Sequence, residues 1–356
     1  MFVIRQANLD DSATLLKLAK MVHFINLPAD PDIINAKIQR SRRSFAGKAH
    51  SEREREFMFV VEDTETGNIV GTSSVIAANS WPGKPHVYFQ VRRREHWSRD
   101  LQTGAVHMTL QLGTDETGPS EIGGLILSPA YRGHKEKLGS LLSLVRFHFI
   151  ALNRGWFAPR VIAEMMAPLT PDSRNTLWEY LGRRFINLSY AEADLFCQHS
   201  KEFMISLLPH SEIYVSLLPP EARNLIGKVG KETEPAKKML ENLGFKYLGH
   251  VDPFDGGPYL ETMVADIPVV QSTRAMKLAP PRSAYAGRAI VSATGETGFR
   301  AMRCPCTIEG DAISIPRENA EAIGAVAGGE VGVTPVPEKS DRPAATGNPS
   351  EAKAVA

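Results

Sequence analysis

Cysteine is scarce: Cys197, Cys304 and Cys306 are the three in 356 residues, too few for a disulfide framework and in keeping with a reducing compartment. The run Cys304-Pro305-Cys306 has no second Cys/His pair at ligand spacing nearby, so it is expected to be two ordinary strand or turn cysteines, and no metal site is expected. Long apolar runs are missing as well. No segment approaches about 18 uninterrupted apolar residues, and the opening MFVIRQANLDDSATLLKLAK has no basic stretch leading into an apolar one, which argues against a membrane span or a leader peptide. Charge of one sign is also lacking, since 41 basic residues face 40 acidic ones for a formal charge of +1. No global field recruits nucleic acid or an anionic membrane, and any basic patch must be local. The clusters SRRSF and VRRREHW lack aromatic platforms and are expected to be solvated surface. The simplest reading is a cytoplasmic protein that binds neither nucleic acid nor membrane.

What is present is ordinary globular patterning over a length that suggests two domains, or one large domain with an appendage. MFVIRQA alternates like a strand, and LDDSATLLKLAKMV follows as a helix with Asp10, Asp11 or Ser12 as its N-cap. FMFVVEDTETGNIVGTSSVIA holds two β-rich runs around a Thr-Gly-Asn turn, a hairpin signal. HVYFQVRRR, AVHMTLQLG, SEIGGLIL and RVIAEMMA read as further strands, and DSRNTLWEYLGRRFINLSY as a helix stopped at Leu-Gly and followed by a strand. This order implies an α+β architecture rather than a doubly wound one. The repeated pattern in PAKKMLENLGFKYLG suggests two related halves, about 1–198 and 199–267. A domain over 1–267 is then followed by a small β-rich module over 268–338 and a disordered tail over 339–356.

The stretch LILSPAYRGHKEKLGSLLSLVRFHFI, residues 125–150, carries the chemistry. Leu125, Ile126 and Leu127 end a strand, Ser128 and Pro129 break it, Arg132-Gly133 open a turn, and a helix begins at about Lys137. Leu138, Leu141, Leu142, Val145, Phe149 and Leu152 form one apolar stripe that would pack on a sheet. Gly133, Gly139 and Ser140 are small where a backbone would approach a ligand, and Arg132, Lys135 and Lys137 add positive charge. The unpaired N–H groups and dipole of a helix start attract an anion. A plain strand-to-helix connection with solvated lysines explains the same spacing.

Strand, Pro-x-x-Arg-Gly and a Leu-Gly-x-Leu-Leu helix together resemble the pyrophosphate-binding motif of the Gcn5-related N-acyltransferases, although RGHKEKLG lacks that motif's middle glycine. DETGPSEIGGLIL, RFHFIA, VIAEM, LWEYLGRRF, EADLF, KEFMISLLP, EARNLIGKV, TEPAKKMLENLGF and VDPFDGGP follow one another as in the arginine N-succinyltransferase family, from residue 1 to about 338. The resemblance implies a mixed, mostly antiparallel acyltransferase sheet flanked by helices. It also implies transfer of the succinyl group of succinyl-CoA to the α-amine of L-arginine, in arginine catabolism. Succinyl-CoA would be a co-substrate, with no permanently bound cofactor.

Coenzyme contacts would fall on Leu125, Leu127, Arg132, Gly133, Lys137, Gly139 and Ser140, with a backbone N–H at Leu127 polarising the thioester. Arg174 matches a family arginine suited to the succinyl carboxylate. Asp252 and Asp255 are candidates for the basic amino acid, and Glu121 and Glu164 for the acid–base work. The family's proton-donating histidine matches Gly230 here, and Met166-Ala167 stand where the family has Arg-Gly. These departures leave open acyl transfer to another amine such as ornithine, or a catalytically weak acyl-CoA-binding subunit. The implied partners are an acyl-CoA, a basic amino acid, and a second copy of the chain or a paralogous subunit.

Overall fold

The computed structural model describes residues 1–21, 27–170, 175–197 and 200–336. Strand β1 (Phe2–Gln6) leads to helices α1 (Ser12–Lys20) and α2 (Pro31–Phe45), then to strands β2 (Glu56–Asp63) and β3 (Asn68–Ile76). The long hairpin β4 (His86–Ser98) and β5 (Thr103–Asp115) precedes β6 (Ser120–Leu127), and helix α3 (Leu138–Leu152) crosses over to β7 (Arg160–Glu164). After several short helices come β8 (Ile213–Tyr214), β9 (Lys246–Val251) and β10 (Pro258–Met263). Strands β11 (Arg274–Leu278), β12 (Gly287–Gly295), β13 (Gly298–Glu309), β14 (Ala312–Ser314) and β15 (Glu330–Val336) complete the described chain.

All of these strands join one sheet, in which β6–β7 and β11–β14 are parallel and the other pairings antiparallel. The α+β reading therefore holds. Short connections favour antiparallel neighbours, and the β6–α3–β7 crossover supplies the parallel pair on which the site depends. Among the described residues no helix is long and apolar enough to cross a membrane.

Two helical expectations change in detail. Asp11 holds the N-cap position of α1 without a side-chain cap bond; the capping bond lies one turn earlier, where the Asn8 side chain accepts from Asp10 N while the Asp11 carboxylate turns back to Asn8 N and pairs with Arg5. The helix does not stop at Leu181-Gly182 but runs on to Phe185, and no strand follows: Trp178 is buried, stacks on Phe254 at 4.7 Å and donates its Nε1 to the Leu188 carbonyl in the short loop over 186–189. The chain then enters a helix at Tyr190–Cys197.

One apolar core lies between α3 and strands β1–β3, β6, β7 and β10. A second gathers Val87, Phe89 and Leu110 with Trp178, Met204, Ile226 and Phe254. The suggested division at 198/199 runs through this second core, because residues on both sides of it pack on the β4–β5 hairpin. The two stretches are not separate cores.

The terminal module begins at β11 and closes on itself: β12 pairs with β13 and β15, β15 with β11, β11 with β14, and β14 with β13. Closure into a five-stranded barrel leaves β13 able to pair with β1 as well, which joins the module to the main sheet. Cys304 and Cys306 alternate inward and are buried in the barrel with Val291, Met302 and Val333. Burial pushes the Cys304 thiol up to about 12, so these are inert core thiols. The expected disordered tail lies outside the described residues.

His148 on α3 ties the barrel to the main core. Its Nδ1 lies 2.6 Å from Thr334 Oγ1 and its Nε2 2.7 Å from Ser292 Oγ, and burial holds the ring down to about 3. A histidine with a depressed folded pKa contributes stability that is lost as pH falls from its ordinary value of about 6.5 towards 3, by up to about 1.4 kcal/mol per pH unit. His148→Leu should cost about 1–3 kcal/mol at pH 7 by stranding the buried Ser292 hydroxyl and leaving Thr334 with Thr273 alone. Thermal unfolding of both proteins across pH 7 to 4 should show that deficit shrinking on acidification; a deficit that is constant with pH would contradict this role for the ring.

Candidate active site

β6 and β7 run parallel but pair only at Ser120–Val161 and Glu121–Ile162. Past that point β6 carries a bulge: its register with β3 shifts between Thr72 and Ser74, and Gly124 takes φ +57. A side chain at Gly124 would strain that left-handed backbone and bring its Cβ within 3.0 Å of Ser74 Oγ. Beyond Glu121–Ile162 no ladder pairing joins Gly123–Leu127 of β6 to Ala163–Ala167 along β7 and its continuation, and this unpaired interval is the gap between the strands. Backbone groups at such a gap are free to bond an inserted chain.

At one mouth of the gap, Ser128 N bonds the Val70 carbonyl, Pro129–Tyr131 make a single helical turn, and Gly133 turns the chain at φ +73. Lys137 caps α3 in the left-handed conformation, and its carbonyl accepts from Leu141 N. The first-turn N–H groups of Leu138, Gly139 and Ser140 therefore have no intrahelical acceptor. Gly139 packs with Leu127 Cδ2 3.7 Å from its Cβ position, so the end of β6 and the start of α3 share one mouth. Leu125 and Leu127 pack against the main core. Arg132 lies over this mouth, half exposed, with NH1 3.0 Å from Glu232 Oε2.

That ion pair brings the segment holding Gly230 alongside. Gly230 N bonds the Met166 carbonyl at 3.0 Å, placing residue 230 at the continuation of β7. A Cβ there would stand 3.5 Å from the Ala167 carbonyl oxygen, an ordinary contact, so the position tolerates a side chain. The structure thus joins three separated predictions: the loop at Arg132, the strand end at Leu127 and the substituted position at Gly230.

The two faces of the gap differ chemically. Glu121 stands beside Ile162 and Tyr259 beside Glu164, so alternation puts Glu121, Glu164 and Tyr259 on the face away from α3. Burial raises the Glu121 carboxyl, and burial together with Glu121 holds Glu164 well above the usual carboxylate range. His86 is buried with no hydrogen-bond partner among the described residues on either ring nitrogen, and its Nδ1 lies 3.7 Å from Glu164 Oε1. Burial drives this ring well below its ordinary value, so it is neutral. Burial works against the Lys201 ammonium, but Glu164 and Glu121 outweigh it and hold it above its ordinary value.

Asp252 and Asp255 build the neighbouring turn. Asp252 Oδ1 accepts from Phe254 N and Asp255 N, and its Oδ2 accepts the Tyr259 hydroxyl at 2.7 Å. Asp255 is buried; its Oδ2 accepts from Ala167 N at 3.0 Å and its Oδ1 from Gly257 N at 2.7 Å. Burial, then Asp252, pushes Asp255 up to about 8, and burial, then Asp252, pushes Asp194 up to about 7. Asp255 fixes the course of the chain after β7, which is the turn-building role such an aspartate plays before two glycines. Arg174 lies outside the described residues. His86, Lys201 and Tyr259 join the candidate acids here although no spacing in the sequence linked them.

On the opposite face Arg146 projects from α3, buried and 3 % exposed. Its Nε donates to the Ser143 carbonyl at 3.1 Å, its NH2 to Ser143 Oγ at 2.8 Å, and its NH1 to the Gly123 carbonyl at 3.5 Å. Burial alone pulls this guanidinium down to about 9, which still leaves it a cation at neutral pH. Among the described residues no group of three or more His, Cys, Asp or Glu side chains stands where it could hold a metal ion.

Comparison with known proteins gives four concordant findings. The family model described as arginine N-succinyltransferase beta subunit matches residues 2–269. The arginine N-succinyltransferase of Yersinia enterocolitica is 35% identical over 338 residues, covering 92% of this chain and 96% of that protein. An Escherichia coli arginine N-succinyltransferase is 34% identical over 282 residues, covering 78% and 81%. The solved structure of arginine/ornithine succinyltransferase subunit AI from Pseudomonas aeruginosa superposes with a TM-score of 0.81 at 27% identity, covering 95% of this chain and 99% of that one.

The buried carboxyls have a measurable consequence. A group whose folded pKa is raised binds its proton more tightly in the folded state, so the folded protein loses stability as pH rises above the unfolded value of about 4.3. Glu164→Gln should therefore be more stable than the parent at pH 8, with the advantage vanishing towards pH 4. Thermal midpoints over pH 4–9 check this, and a variant that is less stable at pH 8 would contradict it.

Proposed function

The chain belongs to the arginine N-succinyltransferase family, and from that membership we propose how its own residues carry out CoA-dependent succinyl transfer. Succinyl-CoA is the co-substrate and the α-amine of L-arginine the acceptor. The parting of β6 and β7 at the Gly124 bulge is the observation that carries the reading, because it ends at a helix start furnished with free N–H groups and a nearby guanidinium. The pyrophosphate takes the amides of Leu138, Gly139 and Ser140, and Arg132 exchanges Glu232 for phosphate oxygens. The pantetheine arm runs down the gap as an inserted strand. The thioester carbonyl meets a β6 N–H at Leu125 or Leu127, where the developing oxyanion is stabilised.

The acceptor comes from the opposite side, where Glu121, Glu164, Tyr259 and the Asp252 turn gather negative charge for a dibasic amino acid. In the reaction the amine nitrogen bonds to the thioester carbon, the C–S bond breaks, the amine gives up a proton, and the thiolate takes one. Glu164, whose carboxylate burial and Glu121 make more basic than usual, receives the proton of the amine. With Gly230 in place of the family's histidine, no side chain at that position protonates the thiolate, and water at the mouth does so. A thiol of pKa about 8.5 makes this a modest demand at neutral pH.

Ornithine is the second acceptor reading, favoured by the Pseudomonas aeruginosa relative, which is named for both amino acids. The same acidic face suits an ammonium as well as a guanidinium. Pairing with a paralogous subunit is the further possibility raised by Gly230.

Purified protein given succinyl-CoA with arginine or ornithine should release thiol, faster with one of the two than with uncharged amino acids. Gly230→His, for which the contacts leave room, should raise kcat by on the order of ten- to a hundredfold. No thiol release with any amine, while coenzyme A still raises the unfolding temperature, would overturn the catalytic reading and leave a binding subunit.

A further inference from the structure

Arg146 is a cation without a purpose in the fold. It lies on the sheet-facing side of α3, among Leu142, Val145 and Phe149, where the apolar stripe would ordinarily continue. A guanidinium carries five N–H donors and is nearly always charged. Ser143 Oγ and the Ser143 and Gly123 carbonyls take three of them, one each on Nε, NH1 and NH2, which leaves one N–H on each terminal nitrogen. All three acceptors are neutral, and among the described residues no carboxylate pairs with it. Burying a charge with no counter-ion is among the costliest arrangements a core can hold. A methionine would fill the same space without that cost, so the charge points to an anion that arrives from outside.

Its position says where that anion arrives. Arg146 reaches the carbonyl of Gly123, the residue at which β6 leaves β7 and the sheet opens. It is eight residues along α3 from Leu138, about 12 Å below the helix start at 1.5 Å per residue. That depth is on the scale of the pantetheine arm, so a coenzyme whose pyrophosphate sits at the helix start brings its acyl group level with Arg146. Once the two strands part, α3 is the floor of the gap, and an acyl chain continuing past the thioester meets it. The opposite face is acidic and suits the amine, so the two charged ends of the reaction partners are sorted to different sides of the sheet.

We propose that Arg146 is the acyl-specificity residue of this chain, its two remaining N–H groups binding the terminal carboxylate of the succinyl group as a bidentate ion pair. This rests on the proposed use of the β6–β7 gap by succinyl-CoA, and it assigns the dicarboxylic acyl preference to a side chain on the crossover helix. A neutral acyl chain of equal length leaves the guanidinium buried and unpaired. The site then selects against it as well as for succinyl.

Butyryl-CoA is the matching probe, since a methyl replaces the carboxylate. Titration calorimetry and initial rates with succinyl-CoA, butyryl-CoA and free coenzyme A compare the parent with Arg146→Met and Arg146→Lys. The parent should favour succinyl-CoA over butyryl-CoA by a hundredfold or more. Arg146→Met should erase or invert that ratio, by losing succinyl-CoA and gaining butyryl-CoA, while its affinity for free coenzyme A stays within about twofold. Arg146→Lys should keep part of the preference, and it provides the reading if the methionine variant does not fold. A folded Arg146→Met that keeps the parental ratio in binding overturns the assignment. A parent that discriminates the two thioesters in binding through Arg146 but transfers neither would sink the catalytic reading and leave the acyl-specificity assignment standing.

Discussion

Everything in this molecule that bears on chemistry follows from two parallel strands that stop bonding to each other. β6 and β7 share a ladder for two residues, and then the bulge at Gly124 carries β6 away. A gap in the middle of a sheet exposes backbone groups that must find partners in water, side chains or a bound ligand. The crossover connection fixes what lies at the ends and sides of that gap. α3 starts at one mouth with unpaired N–H groups, then runs back along one face and closes it. The continuation of β7 is held in place from the other side by Asp255, Asn175 and the backbone at Gly230.

Charge is then distributed across the opening in a way that composition alone conceals. A net charge of +1 hides a cationic mouth around Arg132, an acidic face with Glu121 and Glu164, and a single guanidinium on the α3 side at Arg146. An acyl-CoA is anionic at its pyrophosphate, and a succinyl group is anionic at its far end, while the acceptor amino acid carries a cationic side chain. On the proposed reading, the carboxyls on one side of the sheet and the Arg146 guanidinium on the other receive different ends of the reaction partners. The barrel of β11–β15 takes part by position: Arg288 pairs with Glu136, and Arg303 donates to the Glu136 carbonyl, so it braces the loop before α3.

Local pattern carried a large share of this. The apolar stripe from Leu138 to Leu152, the turn at Arg132-Gly133 and the hairpin of β2 and β3 follow from periodicity and turn chemistry, and they stand in the structure. The strands after residue 268 were legible from their short alternating runs, but their closure into a barrel was not, since strand pairing is set by contacts distant in sequence. The strand expected after LWEYLG failed because burial of Trp178 against Phe254 outweighed local β preference. The acidic face was only half visible. Glu121 and Glu164 stand out in the sequence as candidates for the acid–base work, whereas His86, Lys201 and Tyr259 join them through tertiary pairing. Two signals were available and unused. His86 shares its face of HVYFQV with Tyr88, opposite Val87 and Phe89, and Arg146 interrupts the stripe of α3 where a core residue belongs.

The central claim is that an acyl-CoA lies in the parted strands with its two anionic ends at the α3 start and at Arg146. A crystal structure with succinyl-CoA tests it most directly. The account requires the pyrophosphate against the Leu138–Ser140 amides and the thioester oxygen about 3 Å from a β6 N–H. It also requires the succinyl carboxylate on the Arg146 guanidinium. Coenzyme bound instead in the cavity of about 560 Å³ between Tyr131, His134, Arg288 and Arg303, with the strands empty, would contradict it.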